Sequence, residues 1–123
     1  MSVQAHSYFQ EQLNSEQRLA PLHVKRVEGY IQDHADEAIT PVMLADLAGV
    51  SLRTLYAGFK GVSPMEYQRS IRLKRVKEDL CQQGANCSVT DIATRWGFGH
   101  MERFSQEYRR LFGEKPSETK RKS

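Results

Sequence analysis

The side chains that most often carry out chemistry are thinly spread along this chain of 123 residues. The four histidines stand far apart, and the two cysteines, Cys81 and Cys87, form no CxxC pair and have no histidine at metal-ligand spacing. No Ser/His/Asp set and no phosphate-cradling glycine loop accompanies them. The sequence therefore predicts no catalytic residue, no metal site and no cofactor, and it argues against an enzyme.

What the chain does offer is positive charge, which is unevenly distributed. Residues 1–40 contain three Lys/Arg and six Asp/Glu, whereas residues 41–123 contain fifteen and nine, so their net charges are −3 and +6. A basic block suits a polyanion such as nucleic acid, although many basic faces are only solvated. No apolar run approaches the roughly 18 residues of a membrane span, and no signal-peptide core is present, which predicts a cytoplasmic protein without a membrane partner.

The elements that position these charges are helical, since no segment alternates with a period of two. Start signals include Thr40 before a proline, Ser51, Ser88 and a capping box at residues 63–66. The long helix predicted for residues 64–82 has two apolar stripes, which indicates a packing partner on each side. We therefore predict an all-α fold, with Trp96 in the core and helices beginning near Pro21, Pro41, Ser51, Pro64, Ser88 and His100.

A short pattern occurs twice, 48 residues apart. In each copy an alanine, Ala45 or Ala93, stands four residues before a glycine, Gly49 or Gly97. The alanine lets two helices cross closely, and the glycine supplies a positive φ in the turn between them. The second helix would bury an i, i+4 pair and leave its other side free to enter a major groove. The repeat predicts two helix-turn-helix motifs, with buried pairs Leu55/Phe59 and Phe104/Tyr108.

Residues 21–117 resemble the DNA-binding domain of the AraC/XylS family of bacterial transcription regulators. The resemblance implies about seven helices, two helix-turn-helix subdomains joined by a long central helix, and sequence-specific DNA binding that usually activates transcription. Where the family usually has an aromatic-Arg pair near the C-terminus, this chain has Glu118, Thr119 and Lys120. The matching stretches are residues 44–51, 63–67, Arg72-Leu73, Ile92-Ala93 and the signature Gly97-Phe98, Phe104-Ser105, Tyr108, Phe112-Gly113 and Pro116-Ser117.

The resemblance divides the chain into four parts. They are an N-terminal tail or interdomain linker (1–20), a first helix-turn-helix subdomain (21–62), a bridging helix (63–82) and a second subdomain with a basic C-terminal tail (83–123). Phe59 and Gly61 are about three residues closer than the family spacing. We therefore expect the first recognition helix to end at Phe59 and residues 60–62 to form the connection, so that the first motif is held less firmly than the second. The alternative is a longer natural chain, which its intact mass would reveal.

The first recognition helix maps to residues 51–60. Arg53 is the strongest candidate base reader, because a guanidinium can contact guanine O6 and N7 together, although an arginine near a helix start also suits a phosphate. Tyr56 could meet a thymine methyl or cover core residues. Leu52, Leu55 and Phe59 are expected to face inward. The predicted base-reading residues are Arg53, Thr54, Tyr56 and Ala57, and the predicted phosphate contacts are Ser51 and Lys60.

The second recognition helix maps to residues 100–111. Glu102 could accept from cytosine N4 or pair with Arg109 or Gln106, and Gln106 could read adenine. We expect this helix to supply more backbone affinity than specificity. The predicted base-reading residues are Met101, Glu102, Ser105 and Gln106, and the predicted phosphate contacts are His100, Arg103 and Arg109. Further surface cations that could reach phosphates are Lys74, Arg75, Lys77, Lys120, Arg121 and Lys122.

Double-stranded DNA is the predicted partner, together with RNA polymerase and an N-terminal effector-binding domain outside this chain. We expect no small-molecule effector to bind these residues, because each half is too small to enclose a pocket beside its own core. Two alternatives stay open: a protein-interaction module on the same scaffold and a nonspecific architectural DNA binder.

Overall fold

A computed structural model describes residues 21–83 and 86–122, so the tail or linker predicted for residues 1–20 lies outside the described part of the chain. The described residues contain no strand, which confirms the all-α prediction. None of their helices has both the length and the apolar character that a membrane crossing requires. Seven helices lie in the described part of the chain: α1 (Leu22–Asp33), α2 (Pro41–Ala48), α3 (Leu52–Gly58), α4 (Pro64–Gln83), α5 (Val89–Arg95), α6 (Met101–Phe112) and α7 (Pro116–Lys122).

Four of the helices begin where short hydroxyl side chains predict. In each case the hydroxyl oxygen accepts a hydrogen bond from the backbone amide three residues later, which satisfies one of the free amides of the first turn. The capping distances are 3.2 Å at Thr40 and at Ser51, 3.1 Å at Ser63 and 3.0 Å at Ser88. The start signals read from the sequence are confirmed at these four residues.

Helix α4 lies between two separate hydrophobic cores, as its two apolar stripes predict. Ile71 belongs to the first core, and Trp96 packs against both. The first core contains Val27, Ile31, Ala35, Ile39, Leu44, Ala45, Leu55 and Ile71. The second contains Leu73, Val76, Leu80, Ile92, Ala93, Phe98, Phe104 and Tyr108.

The C-terminal segment differs from the prediction, because the expected basic tail forms helix α7. Pro116 is buried at the first position of this helix, and α7 packs against α4. Thr119 is buried too, and its hydroxyl accepts a hydrogen bond from the Tyr108 hydroxyl at 2.8 Å. Burial raises the pKa of Tyr108. The proline that marks the end of α6 is also well suited to begin a helix, since the first turn needs no amide donor there.

The connection between α3 and α4 agrees with the short spacing in the sequence. Helix α3 ends at Gly58, one residue before the predicted end, and Phe59 follows as its C-cap. Gly61 then adopts a φ of 82°, and Ser63 still caps α4. The prediction that residues 60–62 form the connection is confirmed, while the weaker hold on the first motif stays a prediction.

Candidate nucleic-acid interface

The two predicted helix-turn-helix turns have the same hydrogen-bonded geometry. Gly49 and Gly97 both adopt a left-handed conformation, with φ of 71° and 89°. The residue after each glycine donates back to the alanine of the repeat, which is the pattern of a Schellman helix end. These hydrogen bonds join Val50 N to Ala45 O and Phe98 N to Ala93 O, both at 3.0 Å. The repeat in the sequence therefore reflects two turns of one design.

The helices that follow the two turns differ in start and length. Ser51 caps α3 with its side chain, whereas His100 stands at the N-cap of α6 and makes no side-chain capping hydrogen bond. The second turn is one residue longer. The first residues of α3 and α6 are therefore 49 residues apart, whereas the alanines and glycines of the repeat are 48 residues apart. Helix α3 has 7 residues and α6 has 12. The second recognition helix is thus the more extensive of the two.

The outward side of α3 carries the predicted base readers. Arg53, Thr54, Tyr56 and Ala57 are all exposed, and Leu55 is fully buried in the first core. Phe59 also packs against that core, as predicted. The expectation that Leu52 faces inward is wrong, since its exposed fraction is 41%. A side chain on a helix leans towards the N-terminus, and at the first position of α3 this direction leads away from the rest of the helix.

Two of the polar residues of this motif are constrained by their neighbours. The Ser51 hydroxyl accepts from the Thr54 amide and donates to Thr54 Oγ1 at 3.0 Å, so it also serves as the helix cap. Lys60 is exposed, but it lies in the connection after α3 and not in the recognition helix to which it was mapped. Whether Lys60 can reach a phosphate therefore depends on the conformation of the connection between α3 and α4.

The outward side of α6 is polar and charged. Phe104 and Tyr108 are fully buried, which confirms the predicted pair. Ser105 is half-buried, and Met101 packs partly against the second core, which leaves less of its side chain to reach a base. Arg103 Nε lies 3.5 Å from Glu107 Oε1. The exposed members of the predicted set are His100, Glu102, Arg103, Gln106 and Arg109.

A groove of about 240 Å³ runs beside this outward side, between α6 and the start of α7. It brings Lys115 and Ser117 next to three residues of the predicted interface. The sequence analysis missed both residues, and the available signal was Pro116, which marks a helix start as well as the end of α6. The groove is lined by Val89, Ser105, Gln106, Arg109, Lys115, Pro116 and Ser117.

Several cations grouped as surface residues interact with the protein itself. Arg75 Nη2 donates to the backbone oxygen of Gln32 at 2.9 Å, and its guanidinium lies 6.0 Å from the centre of the Trp96 ring. Lys77 Nζ lies 4.7 Å from the centre of the Phe112 ring, and Lys122 pairs with Glu114 at 2.8 Å. Lys74 and Arg121 are exposed, and Lys120 is half-buried.

Trp96 occupies the core position predicted for it. Its ring packs against both cores, and its Nε1 donates to Asp79 Oδ2 at 2.8 Å. An indole whose only donor is bonded inside the protein is a structural element. The prediction that Trp96 packs in the core is confirmed.

Comparison with known proteins agrees with this geometry. A family described as a helix-turn-helix domain matches residues 44–122. A solved structure of a probable AraC family transcriptional regulator from Rhodopseudomonas palustris superimposes with a TM-score of 0.78 and 36% identity, over 83% of this chain and 97% of that chain. The chain belongs to the AraC/XylS family. The domain is thus of the type found in DNA-binding transcription regulators and is not an enzyme domain, as predicted.

Curated relatives of the AraC/XylS domain are longer proteins. A probable thc operon regulatory protein of Rhodococcus erythropolis is 39% identical over 99 residues, which are 77% of this chain and 30% of the relative. A XylDLEGF operon transcriptional activator of Pseudomonas putida is 39% identical over 102 residues, which are 80% of this chain and 31% of the relative. The chain therefore spans about a third of these two relatives.

Proposed function

We propose that this domain binds DNA sequence-specifically as part of a transcription activator, with α3 and α6 in two successive major-groove segments. The observation that carries the proposal is the pair of helix-turn-helix motifs with one turn geometry, packed on opposite stripes of a single helix. Helix α4 has 20 residues, or about 30 Å at 1.5 Å per residue. One turn of duplex is roughly 34 Å, so the two lengths are compatible.

The two recognition helices have different roles in this proposal. Arg53 reads a guanine with its exposed guanidinium, and Thr54, Tyr56 and Ala57 line the same side of α3. In α6, Glu102 and Gln106 are the exposed base-reading candidates, with Met101 and the half-buried Ser105 in secondary positions. The phosphate contacts are Ser51, Lys60, His100, Arg103 and Arg109, to which the groove adds Lys115 and Ser117.

A monomer with two different recognition helices requires an asymmetric site. The outward residues of α3 and α6 share no sequence pattern, so the two halves of the DNA site have to differ as well. Activation and contact with RNA polymerase are proposed because several similar proteins are named transcriptional activators. The aligned segment is about 30% of the length of the two relatives named above. A response to a small molecule would come from an effector-binding domain outside that segment.

Selection of binding sites from random duplex DNA, followed by footprinting of the selected site, tests the proposal. We expect an asymmetric consensus in two blocks, with protection of two successive major-groove segments on one face. Protection of one segment only would contradict the two-site arrangement. Equal affinity for selected and random DNA would instead identify a nonspecific architectural binder.

A further inference from the structure

Three arginines of α4 follow one another at intervals of three residues, and each contacts other parts of the domain. Arg69 Nε donates to Glu107 Oε2 of α6 at 2.5 Å, and its guanidinium lies 5.5 Å from the centre of the Phe98 ring. Arg75 reaches α1 and Trp96, as described above. Arg72 lies between them and is half-buried. The three guanidinium groups thus all make contacts within the domain, and all three arginines are half-buried.

Arg72 touches both helix-turn-helix subdomains with one planar group. Its Nε donates to the backbone oxygen of Ala35 at 2.6 Å, and its Nη2 donates to that of Glu37 at 2.8 Å. Both oxygens belong to the loop between α1 and α2. On the other side the guanidinium lies against Gly97, where an added Cβ would come within 2.6 Å of Nη1 and 3.2 Å of Cζ. The same side chain therefore contacts a loop of the first subdomain and the turn of the second motif.

These contacts fix the orientation of the Arg72 guanidinium as well as its distance from the loop and the turn. A guanidinium has its donors in a rigid plane, so two hydrogen bonds to neighbouring carbonyls define its orientation. Burial lowers the pKa of Arg72, and the charge of Asp36 opposes that effect. Gln68 donates to the same two carbonyls, at 3.3 and 3.0 Å, which holds the loop against α4. For Gln68 the structure shows contacts with the loop, whereas Arg72 joins the loop to Gly97 as well.

We propose that Arg72 is a positioning residue that fixes the orientation of the first helix-turn-helix motif relative to the second. It thereby sets which spacing between two DNA half-sites the domain accepts, a consequence that rests on the proposed two-segment binding. The reason is geometric, because one inserted base pair moves a half-site by about 3.4 Å and turns it by about 35° around the duplex. A domain whose two motifs are locked in orientation cannot follow such a change.

The orientation itself is testable in the free protein, without DNA. Residual dipolar couplings of backbone amides are measured for the wild type, for Arg72→Met and for the control Glu78→Met, which removes an exposed charge from the same helix. We expect a single alignment tensor to fit both subdomains in the wild type and in the control, and two different tensors in Arg72→Met. A single tensor in Arg72→Met would overturn the proposal. If that variant does not fold, Arg72→Lys keeps the charge and removes the planar fork, and the same criterion applies to it.

The consequence for DNA is tested with sites in which the half-site spacing is changed by one base pair. We expect the wild type and Glu78→Met to prefer one spacing by about fivefold or more, the usual lower range of coupling between two sites. Arg72→Met should lose that preference and keep its affinity for an isolated half-site within about twofold. An equal loss on every spacing would show a merely structural role and overturn the proposal. If the wild type itself has no spacing preference, the two-segment function fails, and the dipolar couplings still decide the role of Arg72 in orientation.

Discussion

Alanine at Gly97 should destabilise the domain more than alanine at Gly49, although the two glycines occupy the same place in their turns. Both have positive φ, 89° and 71°, and an alanine in this region costs about 1–2 kcal/mol. At Gly49 an added Cβ would meet no atom of the described residues within 4 Å. The left-handed backbone is therefore the whole penalty at Gly49, and the expected loss of unfolding free energy is about 1–2 kcal/mol.

At Gly97 the added Cβ would overlap the Arg72 guanidinium, with 2.6 Å to Nη1. Arg72 has to move, and its hydrogen bonds to the carbonyls of Ala35 and Glu37 are weakened or lost. A hydrogen bond from a charged donor contributes about 1.5–3 kcal/mol, but Arg72 is only half-buried, so water replaces part of the loss. We expect this movement to lower the free energy of unfolding by a further 1–3 kcal/mol, roughly. The total loss for Gly97→Ala is then about 2–5 kcal/mol.

Urea unfolding of both variants measures these losses, provided that the m-value is unchanged. The same two substitutions in the Arg72→Met background complete a double-mutant cycle. There the extra loss from Gly97→Ala should disappear, while the loss from Gly49→Ala should be unchanged. The reasoning is refuted if the two single variants agree within about 0.5 kcal/mol, or if the extra loss at Gly97 persists without the arginine.

Three further predictions concern the interface and the C-terminal helix. Arg53→Ala should weaken binding to the selected site by about 1–3 kcal/mol and relax specificity at one position, whereas Lys120→Ala should weaken binding to all sequences slightly; equal losses on selected and random DNA would make Arg53 a phosphate contact. Hydrogen bonds from Lys122 and Thr119 lower the pKa of Glu114 below its ordinary value of 4.5. The carboxylate therefore stabilises the fold above that pH, and this contribution is lost as the pH falls through the lowered pKa. Thermal unfolding of Glu114→Gln should accordingly depend less on pH below about 4.5 than that of the wild type, and parallel curves would contradict this. Amide hydrogen exchange should be faster at residues 56–59 than in the second half of α6, because α3 is short and ends at the shortened connection; slower exchange in α3 would show that the first motif is the firmer one.

Short-range preferences of single residues allowed many helix starts and turns of this domain to be predicted from its sequence. A hydroxyl cap, a proline at a first helical position and a glycine with positive φ act within a few residues, so Ser51, Pro64 and Gly97 indicate helix starts and turns without tertiary context. The opposite apolar stripes of α4 likewise predict two packing partners, and Ile71 and Val76 do lie in different cores. The repeat around Ala45 and Ala93 was sufficient to predict both helix-turn-helix turns.

Other features depend on residues that are far apart in the chain. Leu52 fits the apolar period of α3 and is nevertheless 41% exposed, because periodicity gives a direction around the helix and not the extent of the core. Lys115 lies in the same groove as Ser105, Gln106 and Arg109 only because α7 packs beside α6. In the sequence, nothing distinguishes the contacts of Arg72 from those of other basic residues of α4. Its position between the loop at Ala35 and the turn at Gly97 appears only in the folded domain. The sequence determined the helices and turns through short-range rules, and the tertiary structure alone decided which cations contact other parts of the domain and which are exposed, because those contacts join residues far apart in the chain.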